Sequence, residues 1–247
     1  MQLLHSATRN YSWGSRTLIP HLQGQPDADK PVAELWFGAH PGDPSTVDGR
    51  LLNEVIAEDP AGQLGSRVSA EYGERLPFLL KVLAAEEPLS LQAHPSKTQA
   101  EEGFARENAA GIELTASNRN YKDDNHKPEL IVALTDFYAM AGFRPLARTR
   151  ELFAALECPE LDHYVAMLDD DPSATTESAN LRVLFTTWIT IPAAKRKELI
   201  SAIVAAGERL IAADPADWKS RVMSTVLDLN QRYPGDIGVL GALLLNH

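Results

Sequence analysis

The 247-residue chain has a single cysteine, Cys158. No disulfide can form within it, which fits a reducing cytoplasm. In "ALECPE" that thiol has no neighbouring histidine pattern and reads as a small filler side chain. Positive charge is scarce: 23 Lys and Arg stand against 34 Asp and Glu, a formal net charge of −11. A nucleic-acid binder needs a basic surface, so that class is set aside. An anionic metabolite remains possible if the basic residues gather locally. No apolar run approaches the ~20 residues of a membrane span, and no membrane partner is expected. The start, "MQLLHSATRNYSWG", lacks a basic segment followed by an apolar stretch, so no signal peptide is expected and the location expected is cytoplasmic. There is no internal repeat and no low-complexity segment.

What the chain does contain is ordinary globular material, 44% hydrophobic and 23% charged. That suffices for one large domain or two smaller ones. Up to about Pro145 the sequence is dense in turn signals: "NYSWGS", "HPGDPS", "VDGR", "RNYKDDNHKP". Between them lie short apolar runs, "AELWFGA", "FLLKVLA", "LSLQAH" and "ELIVAL", which read as strands of a sandwich or barrel. Two helical inserts interrupt them, Leu51 to Pro60 and Lys97 to Gly111. From Pro145 to Arg232 the pattern turns helical. Leu199, Ile203, Leu210 and Ile211 share one face. A second helix is expected to open with Asp214 as N-cap and Pro215 at its first position, to carry Trp218, Val222, Val226 and Leu229, and to stop at Pro234-Gly235. "DIGVLGALLLNH" then reads as a resumed strand with nothing after it to pair with. The expectation is a chain whose remaining β-structure lies beyond residue 247.

Two segments carry chemistry. "LSLQAHPSK" puts Gln92 and His94 two apart, on one face if the segment is a strand. "NYKDDNHKPEL" is the densest polar cluster, and Pro128 fixes an extended entry into the next run. Glu129 stands at the mouth of that apolar run, where a carboxylate is costly unless paired or ligated. It is the candidate third ligand beside Gln92 and His94. An amide oxygen is a weak donor, so a zinc ion held by amide, imidazole and carboxylate stays electrophilic, as a catalytic metal with an open position requires.

"YKDDNHKPE" closely resembles the Y-x-D-x-N-H-K-P-E signature of the type I mannose-6-phosphate isomerases. "NYSWGS", "AELWFGAHPGDPS", "LPFLLKVLAAEEPLSLQAHPSK", "AMAGFRP" and "PGDIGVLGALLLN" resemble further family segments in family order, so the resemblance covers essentially the whole chain. It implies a mainly β cupin/jelly-roll sandwich with an inserted α-helical domain (α+β). Residues 1–145 would be the catalytic β domain, 146–232 the helical domain, and 233–247 the start of the returning cupin strands. It implies interconversion of mannose 6-phosphate and fructose 6-phosphate with one zinc ion per chain, bound by Gln92, His94 and Glu129. The family's fourth ligand, a histidine in an H-A-Y segment, would lie beyond residue 247, as would a catalytic arginine and a further acidic residue. His247 does not match that ligand. The partner implied is a small sugar phosphate, and a monomer is expected.

Aldose–ketose isomerisation moves a proton between C1 and C2 through an enediolate, so a positive charge near those oxygens favours the transition state over the ground state. By the resemblance Lys127 lies in the pocket as an electrostatic or proton-transfer group. His126 is a candidate base, an anchor behind the ligands, or a structural loop residue. Asp124 orients one of them or forms an Asx turn. Lys81, inside the apolar run "FLLKVL", is costly to bury without an anion, and its family counterpart is an active-site residue near substrate. Ser90 is a candidate phosphate contact or a polar spacer, and Lys97 contributes positive potential or simply begins a helix. Three other classes remain: a non-catalytic zinc or sugar-phosphate-binding cupin protein, an iron-dependent cupin oxygenase, and a helical interaction module. Lys81, Lys127 and Glu129 argue against the first, Gln92 in place of a second histidine against the second, and the "DDNHKPE" cluster against the third.

Overall fold

The computed structural model describes residues 2–168 and 174–247. It divides into two compact units, Met1–Leu89 and Ser90–His247.

The first unit holds short strands and helices. β1 (Leu4–His5), β2 (Ala7–Arg9), α1 (Leu18–Leu22), β3 (Glu34–Phe37), β4 (Thr46–Val47), β5 (Arg50–Leu51), α2 (Leu52–Glu58), α3 (Pro60–Leu64), α4 (Ser66–Tyr72) and β6 (Leu80–Leu83) follow in order. They make two antiparallel sheets, β1-β4-β5 and β2-β3-β6. The runs "AELWFGA" and "FLLKVLA" become the paired strands β3 and β6, with Trp36 opposite Lys81 and Leu35 opposite Val82. Alternation sends Leu35 to a small core with Ile19 and Ala84, and sends Glu34, Trp36 and Lys81 to the other face. The helical insert expected from Leu51 is present as α2, and Asp59 caps α3 by accepting from the Gly62 amide.

The second unit is mostly helical. α5 (Lys97–Ala109) is followed, after a long irregular stretch, by α6 (Leu146–Leu156), α7 (Pro159–Val165), α8 (Ala174–Thr190), α9 (Ala193–Ala213), α10 (Trp218–Arg232) and α11 (Ile237–Ala242). The periodicity read in α9 and α10 is the packing seam. Leu199, Ile200 and Ile203 of α9 and Val222, Met223 and Val226 of α10 are buried in one cluster with Leu152, Trp188 and Leu240. Gly207 lets the two helices approach: a Cβ there would come within 2.5 Å of the Met223 methyl.

Four expectations are corrected. Neither "LSLQAH" nor "ELIVAL" is a strand. Both are irregular, and Leu130, Ile131, Val132 and Leu134 are exposed. An extended apolar run becomes a strand only when another strand takes its backbone groups, and no described segment pairs with either run. "DIGVLGALLLNH" does not resume a strand. Asp236 caps α11 by accepting from the Gly238 amide at 2.6 Å, and Val239 to Leu244 are buried in the helical core. Only Leu245 makes a β-bridge, to Phe143. Finally, the N-cap of α10 is Asp217 rather than Asp214. Asp217 accepts from the Lys219 amide at 2.8 Å, while Asp214 closes the end of α9 and its carboxylate receives the Ala216 amide.

Candidate functional site

The polar segments 90–95 and 121–129 flank α5 in sequence, and both belong to the second unit. Ser96 caps α5 through a reciprocal box with Gln99: the serine oxygen accepts the Gln99 amide, and the Gln99 side chain accepts the Ser96 amide. That box fixes the backbone two residues after His94.

His94 is the centre of the cluster. Its Nε2 lies 3.3 Å from Gln92 Oε1, and its Nδ1 lies 3.9 Å from Glu129 Oε2. The three residues picked out as ligands therefore meet, although the strand geometry that suggested the Gln92–His94 pairing is absent. Two donor atoms stand on opposite sides of one imidazole. A cation takes only one ring nitrogen, so to share it the ring must turn or one oxygen donor must swing round. All three residues are exposed, and reorienting side chains between rotamers at the surface is cheap. Among the described residues, no three His, Cys, Asp or Glu side chains gather at metal-binding distance. The Gln92 amide oxygen supplies the third donor. The donor set of imidazole nitrogen, carboxylate and amide oxygen fits a borderline divalent cation such as zinc with positions left open.

In the loop that leads to Glu129, Lys127 Nζ lies 3.4 Å from Asp123 Oδ2. Asp123 also accepts the Asn125 amide at 2.9 Å, which makes an Asx turn at Asp123. The Asp124 carbonyl accepts from Lys97 Nζ at 2.9 Å, and the same ammonium pairs with Glu101 at 3.2 Å. Lys97 thus has a local tether in addition to its charge. His126 and Ser90 are exposed, and neither makes a hydrogen bond among the described residues.

In the first unit, Lys81 sits over the Trp36 ring, 5.1 Å from its centroid, and 3.5 Å from Glu34. Glu34 is buried and also accepts from Trp36 Nε1 at 2.7 Å. The Arg9 guanidinium covers the Trp36 ring as well, at 5.0 Å, and is held by Asp43 at 2.7 Å. A lysine in an apolar strand needs an anion, and the anion is Glu34, two residues along the neighbouring strand from its cross-strand partner.

Sequence reasoning missed Glu107 and Arg119. Both are buried, and their ion pair of 3.1 Å closes the loop leading into Tyr121. The Tyr121 amide, together with the Asn120 amides and Arg119, holds the Glu107 carboxyl below the ordinary glutamate range despite its burial. The available signal was the spacing of Ala100, Gly103 and Glu107, which puts two small residues and one acid on a single helical face.

Cys158 is buried, and burial and then the neighbouring Glu160 push its thiol up, away from reactivity. His40 accepts the Gly42 amide in a turn. His247 faces the Ala242 carbonyl at 2.9 Å. An open hollow on α8, lined by Arg182, Val183, Thr186, Thr187 and Thr190, has no acid–base pair. No helix among the described residues is long and apolar enough to cross a membrane.

The comparisons with known proteins agree with one another. The family model "Phosphomannose isomerase type I, catalytic domain" matches residues 1–146. The mannose-6-phosphate isomerase of Escherichia coli (strain K12) is 38% identical over 254 residues, covering 100% of this chain and 61% of that protein. That of Salmonella typhimurium is 37% identical over 254 residues, with the same coverage. The crystal structure of the Salmonella enzyme bound to its substrate, fructose 6-phosphate, and to zinc superposes with a TM-score of 0.83 at 36% identity, covering 100% of this chain and 60% of that one. The chain thus spans about three fifths of the length of these relatives. With the signature, the donor cluster and the superposition in agreement over its full length, the chain belongs to the type I phosphomannose isomerase family.

Proposed function

We propose that the chain carries the zinc-binding part of a mannose-6-phosphate isomerase, which interconverts mannose 6-phosphate and fructose 6-phosphate. The observation that carries this reading is the meeting of Gln92, His94 and Glu129 around one imidazole, with the Lys127–Asp123 pair in the same loop as Glu129. Zinc held by these three would supply positive charge beside the C1 and C2 oxygens. Lys127 presents a second cation, oriented by Asp123, to the same developing negative charge. The proton leaves C2 of the aldose and returns to C1, while a hydroxyl proton passes from O2 to O1. Lys127 or the unbonded His126 is the group to carry it. Ser90 and Lys97 contribute a hydroxyl and a cation for a phosphorylated sugar. In this reading residues 1–145 are the cupin-type catalytic part and the helical part follows from residue 146, with α11 packed in its core. The end of the family-model match at residue 146, beside the start of α6, supports that division.

The test is metal analysis of the purified 247-residue chain together with a mannose 6-phosphate turnover assay in deuterated water. Stoichiometric zinc with deuterium entering the product at the exchanging carbon supports the isomerase. Zinc binding without exchange supports the metal centre and assigns proton transfer to the groups that the family resemblance places beyond residue 247. Absence of zinc binding removes the centre of the mechanism.

A further inference from the structure

The two donor segments have no sheet to hold them, yet their side chains meet. We propose that α5 is the brace that sets their spacing, with Glu107, Arg119 and Gly103 as positioning residues for the metal centre. The inference rests on Gln92, His94 and Glu129 being that centre.

Each donor segment is fastened to a different part of α5. The first is continuous with its N-terminus: Ser96, capped by Gln99, lies two residues after His94. The second is clamped near the C-terminus. Glu107 accepts the backbone amides of Asn120 at 3.2 Å and Tyr121 at 2.9 Å, and the Asn120 side-chain amide at 3.1 Å. Arg119 completes the clamp. Its Nε donates to the Tyr121 carbonyl at 2.6 Å, Nη1 to the Ile112 carbonyl at 2.7 Å, and Nη2 to Asn108 Oδ1 at 2.7 Å. Tyr121 then lays its ring on Gly103, where an added Cβ would approach it within 2.5 Å. From Tyr121 to Glu129 the loop keeps its course through three local restraints: the Asx turn at Asp123, the Lys97 tether on the Asp124 carbonyl, and the backbone restriction set by Pro128.

The helix thus converts a loop–loop distance into a distance along its own axis. From Ser96 to Glu107 that is about 16 Å at 1.5 Å per residue. Donor groups held to within about 0.5 Å need supports of this kind, and the supports behind metal ligands govern affinity as well as orientation. A helix that only stabilised the fold would not need to clamp the signature loop at its entry and touch it again at Asp124.

The experiment measures zinc affinity by competition with a chromophoric chelator, and the visible d–d spectrum of the cobalt-loaded chain. It compares the wild type with Glu107→Gln, Gly103→Ala and His94→Ala. Val226→Ala, which opens the helical core away from α5, is the stability control. Glu107→Gln removes the acceptor charge, whereas Gly103→Ala displaces Tyr121 and leaves every charge in place, so either carries the test if the other does not fold. The expected result is zinc binding weakened on the order of tenfold in both brace variants, with a shifted or weakened cobalt band. All spectra are taken at temperatures where circular dichroism shows the fold intact. Val226→Ala should bind zinc within about twofold of wild type. Brace variants that match wild type in affinity and spectrum overturn the proposal. So does a Val226→Ala protein that loses zinc as they do, because the effect is then general destabilisation. If His94→Ala binds zinc as the wild type does, the metal-centre reading fails first and the brace falls with it.

Discussion

His94 illustrates how little is held in place at the level of single residues. Its ring touches a neutral amide on one side and a carboxylate on the other, and it is exposed. Removing it takes away the only nitrogen donor of the set. His94→Ala and Glu129→Gln are each expected to abolish stoichiometric zinc retention through gel filtration, with turnover lost in parallel. Lys127→Met should behave differently: zinc stays while turnover collapses, because Lys127 touches Asp123 rather than the ligands. Equal zinc loss in Lys127→Met would make it part of the scaffold. Glu34 is a different case. It is a buried carboxylate that holds both Lys81 and the Trp36 indole, so Glu34→Ala leaves two donors without their acceptor. That costs about 1–3 kcal/mol, readable as a lower urea midpoint. An unchanged midpoint would mean that water replaces the carboxylate.

At the level of elements, caps decide where helices begin, and they titrate. The Lys219 amide and side chain hold the Asp217 carboxyl below its ordinary value, which for an aspartate is about 3.9. A carboxylate with a depressed folded-state pKa stabilises the fold at pH above its unfolded value, and the contribution fades as pH falls through the lower folded value. Asp217→Ala should therefore lower the thermal midpoint at pH 7 and make progressively less difference below about pH 4. A gap that stays constant down to pH 2 would assign the effect to packing. "DPADWKS" offered two aspartates for this role. Asp214 was the attractive choice because a proline follows it, but Asp214 is occupied in ending α9. Between α9 and α10, Gly207→Ala pushes a methyl toward the flexible end of Met223, and the gain of about 1 kcal/mol in helix propensity offsets the repacking, so the thermal midpoint is expected to change little; a large drop would show that Met223 has no room to turn.

For the molecule as a whole, the most consequential feature is the run from Leu130 to Leu134. Leu130 is 90% exposed, Val132 74% and Leu134 78%. An extended apolar segment with unpaired backbone groups is a template for association. The 247-residue chain is expected to self-associate as its concentration rises, and Val132→Lys with Leu134→Lys to suppress this in sedimentation velocity. A wild type that stays monomeric across that range would show that the run is satisfied in solution.

What the residues determined alone was side-chain chemistry and the periodicity of the best-packed elements. The proposed donors stand in "QAHP" and "DDNHKPE", because metal chemistry depends on side-chain type. The α9–α10 seam is written in a 3.6-residue repeat, and β3 and β6 in short apolar runs between turns. Tertiary structure decided the rest. "ELIVAL" and "GVLGALLLN" are both short apolar runs, and periodicity cannot separate a buried strand from a buried helix. The second became α11 because the helical core covers it on every side, while the first stayed unpaired because strand pairing depends on distant chain. Glu107 looked like one more acid in "EEGFAREN" until the fold brought Asn120, Tyr121 and Arg119 onto it. A carboxylate's neighbours across thirteen residues of loop are a property of packing, and no reading of its immediate sequence contains them.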